Sequence, residues 1–136
     1  MRMRPTGAYA TTFFLLFVSG CGSYLGSAQY AYQEGRYLEV AENLGEHEAE
    51  VPKLEPAKQA RYGLYRGLSL MKLGDNDAAG HWLDFAAEIE KKRPGSLPPA
   101  QRRELEDARD KLAKTVEAEQ TSALTLSTQP VSDTGQ

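Results

Sequence analysis

Residues 62–89 read Tyr-Gly-Leu-Tyr-Arg-Gly-Leu-Ser-Leu-Met-Lys-Leu-Gly-Asp-Asn-Asp-Ala-Ala-Gly-His-Trp-Leu-Asp-Phe-Ala-Ala-Glu-Ile, and their pattern decides the fold. Before Gly74, the residues Tyr62, Leu64, Tyr65, Leu68 and Met71 recur with helical periodicity. After it, Ala79, Trp82, Leu83, Ala86 and Ile89 do the same. Gly74 supplies the stop that helices favour at their C-terminal end. Asp75 can accept hydrogen bonds from the first free N–H groups of the next helix. The stretch is therefore two helices joined by a tight turn. The first is expected over about 55–73, with Pro56 in its first turn, where a missing N–H does little harm. The second is expected over 76–92, stopped by Pro94-Gly95.

Working outward, two helices precede this pair and one follows it. Residues 27–34, with a possible start at Ser23, place Ala28, Ala31 and Tyr32 on one side, and Gly35 breaks the run. Residues 37–50 carry Tyr37, Leu38, Val40, Ala41 and Leu44, and end at Val51-Pro52, since a proline disfavours helix in the residue before it. Residues 98–119 open with Pro98-Pro99 and bear a narrow apolar stripe, Leu105, Ala108, Leu112 and Val116, on an otherwise charged helix. Such a helix covers one end of a bundle and faces water on most sides. No segment alternates with the period of a strand. The expected fold is all-α: about five helices arranged as antiparallel hairpins over residues 27–119, closed by a charged C-terminal capping helix. Residues 120–136 are rich in Ser and Thr without an aromatic, and are expected to form a disordered tail.

The two hairpins share a turn. Tyr32-Gln33-Glu34-Gly35-Arg36-Tyr37 leads into Val40-Ala41, and Met71-Lys72-Leu73-Gly74-Asp75-Asn76-Asp77 leads into Ala78-Ala79. On these residues the chain resembles the tetratricopeptide repeat family, whose units of about 34 residues are helical hairpins. Gly67, Leu73-Gly74-Asp75, Ala79 and Ala86 fall at that family's small and turn positions. Val40 stands where alanine is usual, the family's aromatic would fall at Gly63, and Pro94 comes late. Gly35 and Gly74 are 39 positions apart, so residues 46–54 hold an insertion. The resemblance covers roughly residues 24–94 and implies a concave groove lined by the first helix of each pair. Its positions here would be Leu25, Gln29, Tyr32 and Gln33, then Arg61, Leu64, Leu68, Met71 and Lys72. A generic helical bundle with Gly-Asp turns accounts for the same residues, with Leu64, Leu68 and Met71 simply core.

The amino-terminal residues carry a separate message. Arg2 and Arg4 precede an apolar run, residues 8–18, that is too short for the roughly 20 residues a membrane-spanning helix needs. A basic start, a short apolar centre and small residues at the end describe a secretory signal over residues 1–20. Val18-Ser19-Gly20-Cys21 resembles the lipobox of bacterial lipoproteins. That resemblance implies cleavage before Cys21, a diacylglyceryl thioether on its sulfur and an acyl group on its new amino terminus. Each buried CH₂ contributes ~0.8 kcal/mol, and stable anchoring takes more than one chain. Cys21 is the single cysteine, so no disulfide can form within the chain. Residues 21–26 then form a short tether. Gly22 rather than aspartate after the cysteine points, by resemblance to the enteric sorting rule, to the outer membrane facing the periplasm.

The remaining chemistry is sparse. Removing Arg2 and Arg4 leaves 14 basic against 19 acidic residues, a net charge of −5, which excludes the basic face that nucleic acid requires. His47-Glu48-Ala49-Glu50 lacks the second histidine of a zinc-protease motif, with Val51 in its place. Asp75 to Ala86 lacks the ligands of a calcium loop at Ala79 and Ala86. His47 is expected on a solvated face, and Trp82 and the tyrosines in the core. Neither a catalytic constellation, nor a metal site, nor a non-covalent cofactor, nor a small-molecule substrate is indicated. The expectation is a lipid-anchored, non-catalytic adaptor or assembly factor for another envelope protein, similar in general architecture to pilotins. A small structural lipoprotein and a regulator of a cell-wall enzyme remain open beside it. Substituting Cys21→Ala is expected to abolish metabolic labelling with radioactive palmitate and to leave the protein unprocessed or released from membranes; labelling that persists rules out the lipobox.

Overall fold

The computed structural model describes residues 23–127. Five α-helices run in order: α1 Ser23–Gln33, α2 Tyr37–Glu46, α3 Pro56–Lys72, α4 Asn76–Lys92 and α5 Pro99–Ser127, with a 3₁₀ segment Glu48–Lys53 between α2 and α3. No strand occurs among the described residues. The all-α hairpin architecture is the one the periodicity predicts.

The turns at Gly35 and Gly74 are built alike. Each glycine has positive φ, 77° and 86°, which a side chain resists. In the first, Gly35 N–H donates to Tyr32 O (3.0 Å) and Arg36 N–H to Ala31 O (2.9 Å). In the second, Gly74 N–H donates to Met71 O (3.2 Å) and Asp75 N–H to Leu70 O (3.0 Å). This paired closure satisfies carbonyls that a helix end leaves free. Asp75 then accepts from Ala78 N–H at 3.1 Å, capping α4.

α3 is the centre of the molecule. Tyr62, Gly63, Leu64 and Tyr65 are consecutive and all buried, as are Gly67, Leu68 and Ser69, so the helix is covered on every side rather than along one stripe. It packs against α1, α2, α4 and α5. The other helices meet fewer partners: α1 touches α2 and α3 but neither α4 nor α5, and α2 does not reach α4. A closed bundle brings its first and last helices together; this is an open stack in which α1, α3 and α5 form one row and α2 and α4 the other.

Two glycines set the spacing of α3 and α4. A Cβ on Gly63 would lie 2.8 Å from the Trp82 carbonyl oxygen and 3.1 Å from the Ala86 Cβ. A Cβ on Gly67 would lie 2.7 Å from the Leu83 Cγ. Ala79, Leu83 and Ala86 are fully buried in return. Burying a leucine side chain of this kind contributes about 1.5–3 kcal/mol.

Several boundaries differ from the sequence expectation, each for a visible reason. α1 is already helical at Ser23, the earlier of its two expected starts, so the expected tether over 21–26 shortens. α2 stops at Glu46, not at 50. Its last turn is closed from α3 and from beyond its end: Tyr62 OH donates to Leu44 O, Arg66 to Ala41 O, and the His47 ring to Asn43 O at 2.8 Å. Gln59 holds the following 3₁₀ turn by donating to Val51 O at 3.1 Å. His47 is not on a solvated face; it is half-buried, stacked on Tyr24 with ring centroids 4.1 Å apart. α5 runs to Ser127, so the tail expected from 120 does not begin there. The hydroxyls of Thr121, Ser122, Thr125 and Ser127 each donate to the carbonyl four residues back at 2.9 Å, so they are satisfied along the helix, although such bonds add nothing to its stability.

The turn into α5 is organised by one carboxylate. Glu90 accepts from Gly95 N–H (2.8 Å) and Leu97 N–H (2.9 Å) and forms an ion pair with Arg102, Nε lying 3.0 Å from its carboxylate, and Leu97 seals the core below it. Burial opposes its ionisation, but the backbone donors and the Arg102 charge outweigh burial and hold its pKa below the usual carboxylate range.

Gly63→Ala and Gly67→Ala are each expected to lower stability by about 1–3 kcal/mol through overpacking, outweighing a gain of about 1 kcal/mol in helix propensity. Gly26→Ala, in open space on α1, is expected to gain roughly 0.5–1 kcal/mol. Chemical denaturation of the three variants distinguishes a close helix contact from a merely glycine-tolerant one.

Candidate functional site

The alternate row of helices lines a cleft of about 440 Å³. α1 contributes Tyr32 to its wall, and α3 contributes Leu68, Met71 and Lys72. The opposite wall is α5, through Ala100, Arg103, Glu104, Asp107, Ala108 and Lys111. The floor is apolar and closely packed, with Leu68 and Ala108 buried, while Lys72, Arg103 and Lys111 are exposed at the rim.

Four of the six side chains expected to bind a partner therefore do share one concavity: Tyr32, Leu68, Met71 and Lys72. Two do not join it. Leu64 is wholly buried in the core beneath the cleft, and its side chain has no exposed surface to offer. Arg61 lies nearer the start of α3, half-buried beside Tyr65. Of the outlying groove positions, Leu25 is buried, Gln29 is half-buried and Gln33 is exposed. Val18, Ser19, Gly20 and Cys21 lie outside the described residues.

The α5 wall was not legible as such. Positions 100, 103, 104, 107, 108 and 111 recur at helical spacing immediately beside the buried stripe Leu105–Ala108–Leu112. Their charges read as a water-facing surface, and nothing local shows that α3 and α1 stand opposite.

Aromatic packing stiffens the α1 side. Tyr32 meets Tyr65 edge-on, with ring centroids 5.5 Å apart, and tilts against Tyr37 at 5.3 Å. The Lys72 ammonium sits 5.9 Å from the Tyr37 ring centroid. Gln101 Nε2 donates to Tyr65 OH at 3.4 Å, linking α5 to this cluster. Burial, then the Glu104 charge, pushes the Tyr32 phenol up to about 12. The same two causes raise Tyr65. Burial also raises Glu104. Among the described residues, Lys72, Arg103 and Lys111 have no carboxylate within ion-pair distance, whereas Arg36, Arg66, Arg102 and Arg109 do. The cleft thus combines Leu68 and Ala108 at its floor, three phenols close by and, around it, the cations of Lys72, Arg103 and Lys111 together with the carboxylates of Glu104 and Asp107. This arrangement suits a segment that buries an apolar side chain and presents polar groups of both signs at the rim.

A second, shallower apolar surface of about 330 Å³ lies on the far side, between Val51 and Pro52 of the 3₁₀ segment and Trp82 and Phe85 of α4. Trp82 is structural there. It packs edge-on to Tyr62 at 5.1 Å, and the Arg66 guanidinium lies 6.0 Å from its ring. No group of three or more potential metal ligands gathers among the described residues. None of the described helices is long and apolar enough to cross a membrane. No protein-family model, curated protein or solved structure matches the chain.

Glu104 gives the cleft a pH signature. An acid whose pKa is higher folded than unfolded keeps its proton longer in the folded chain. Stability therefore falls as pH rises from the ordinary glutamate range, about 4.3, through the raised value, and the loss is complete above both. Glu104→Gln is expected to raise the denaturation midpoint at pH 7 and to leave it unchanged at pH values below that range. An equal gain at both extremes would separate the effect from ionisation.

Proposed function

We propose that this chain is a lipid-anchored envelope protein that holds a partner protein in the cleft between α1, α3 and α5, acting as a non-catalytic adaptor or assembly factor. The observation that carries this reading is the cleft itself: three helices from three parts of the chain align Tyr32, Met71, Lys72 and Arg103 around one concavity. Open stacks of helical hairpins of the tetratricopeptide kind use this face for extended or helical segments, because alternate helices present a continuous surface. The neighbour relations of the helices support that kinship, with α5 in the place of a third first-helix. So does the repeated glycine closure at Gly35 and Gly74.

The anchor reading rests on Val18-Ser19-Gly20-Cys21 and on the apolar run before it. α1 is formed from Ser23, two positions beyond Cys21, and two extended residues span only about 7 Å. An acylated Cys21 would hold the folded body against the lipid surface. Gly22 after the cysteine favours the outer membrane, with the cleft available to periplasmic or membrane-embedded partners.

In-cell cross-linking followed by detergent co-purification tests the proposal, comparing the native protein with a Lys72→Glu/Arg103→Glu variant. Both side chains are exposed, so the core is untouched. The expected result is one recurrent partner that the variant loses while keeping its helicity. The same partners in both, or none in either, would overturn the groove reading.

A further inference from the structure

Each helix of the stack runs opposite to the one before it, and paired contacts fix the two ends of the molecule. α1 meets α2 through Tyr24 with His47 and through Tyr32 with Tyr37. α2 meets α3 through Leu44 with Tyr62 and Ala41 with Arg66. α3 meets α4 through Gly63 with Ala86 and Gly67 with Leu83. α4 meets α5 through Glu90 with Arg102 and Asp84 with Arg109. In every pair one residue number rises as the other falls. The start of α1, the end of α4 and the start of α5 therefore share one end, and the Gly35 and Gly74 turns share the other. α5 has 29 residues, about 43 Å, and runs from the first end past the second.

Charge at the first end is uneven. Residues 91–103 contain Lys91, Lys92, Arg93, Arg102 and Arg103 and no Asp or Glu, in a chain whose net charge is −3. The carboxylates just before them are engaged: Glu88 pairs with Lys92 at 3.3 Å, and Glu90 pairs with Arg102 while accepting from Gly95 and Leu97 N–H. Lys91 and Arg93 are exposed and have no ion-pair partner among the described residues. The first acids of α5, Glu104 and Glu106, follow this segment, and Glu106 shares a surface cleft with Lys91 without pairing to it. The other acids of this end, Glu46, Glu48, Glu50 and Glu55, gather at the α2–α3 connection, and α2 does not reach α4. The α4–α5 corner is thus the basic part of this end.

Resting on the lipid anchor proposed above, we propose that this corner, through Lys91 and Arg93, meets the phosphates of an anionic lipid surface and holds the body upright on the membrane. Cys21 lies two positions before α1, so the anchor brings this same end to the lipid. One tether alone lets the body tip. α1 and α5 flank α3, and packed helices lie roughly 8–10 Å apart, so the corner touches lipid about 20 Å from the tether. Two contacts at one end restrain tipping. Lysine and arginine are drawn to anionic headgroups only within about a Debye length, roughly 8 Å at physiological salt, and the tether keeps the corner in that range. In this posture the cleft of α1, α3 and α5 opens along the lipid surface rather than into it, and Ser127 stands farthest from the membrane.

Energy transfer from the full chain to labelled lipid tests this. Cys21 is the only native cysteine, and its lipid blocks it, so an introduced cysteine alone takes a fluorophore. Pro98→Cys at the corner and Ser127→Cys at the tip of α5, both exposed or terminal on their helix, are purified from membranes in detergent. Each is reconstituted into vesicles of phosphatidylcholine, with or without phosphatidylglycerol, that carry an acceptor dye on their headgroups. In anionic vesicles, transfer from position 98 should exceed transfer from position 127 several-fold. That gap should narrow on neutral vesicles, in molar salt, and with Lys91→Gln/Arg93→Gln, whose side chains lie outside the core. Equal transfer from the two positions in anionic vesicles overturns the proposal, as does a gap indifferent to lipid charge and to the double substitution. A chain that carries no lipid and does not float with vesicles overturns the anchor, and this inference with it. A chain that floats but fails either comparison overturns this inference alone. Circular dichroism on each variant confirms that the fold is kept.

Discussion

A Cβ on Gly63 would begin 2.8 Å from the Trp82 carbonyl oxygen, and the distance between α3 and α4 is set by what is missing there. At this spacing Ala79, Leu83 and Ala86 interlock with α3, and Trp82 can turn its ring onto Tyr62. Because α4 sits so close, one flank of α3 is sealed by backbone and small side chains. Its larger residues are left to serve the remaining neighbours. Leu64 and Leu68 fill the core, Tyr65 reaches the α1 side and Arg66 reaches α2. Interiors are packed densely enough that one added carbon at such a contact shifts its neighbours.

The cleft follows from that arrangement. With α3 buried on all sides, α1 is placed by α2 and α3, and α5 by α4 and α3, and neither by packing on the other. The space between them is the concavity. Its rigidity comes from the ring contacts of Tyr32 with Tyr37 and Tyr65, and from Gln101 bridging to α5. Its ionisable content is destabilising by itself. A partly desolvated Glu104 costs folding free energy when ionised, and the cations at the rim make no ion pair among the described residues. Sites that bind often carry such unrelieved terms, which a ligand can relieve.

The sequence made some of this plain. The helices around Gly74 were legible because apolar periodicity, a glycine stop and an aspartate cap agree over a long stretch. Tyr32, Leu68, Met71 and Lys72 were legible as a shared face through the repeated turn. Leu64 was misplaced because helical periodicity fixes a residue's face, but only the number of neighbours decides whether that face is a surface or an interior. Gly63 was read as a departure from a pattern, yet it is one of the closest contacts in the fold. The ends of α2 and α5 were missed for a shared reason. Side chains from α3 and from beyond the end of α2 bond to α2 carbonyls, and the Ser and Thr hydroxyls of α5 bond back along the helix instead of ending it, neither of which local propensity encodes. The role of Arg66 gave no local sign, because its acceptor on Ala41 lies 25 positions away.

Native-state hydrogen exchange, resolved by residue, most directly examines the idea that a close α3–α4 pair supports the rest of an open stack. Amides of Gly63, Gly67, Ala79 and Leu83 should exchange only through global unfolding. Those of α1 and of α5 beyond Leu112 should open earlier and separately, as units with fewer neighbours do. Uniform protection across all five helices would instead describe a closed, singly cooperative bundle, and α3–α4 would lose its place as the element on which the cleft depends.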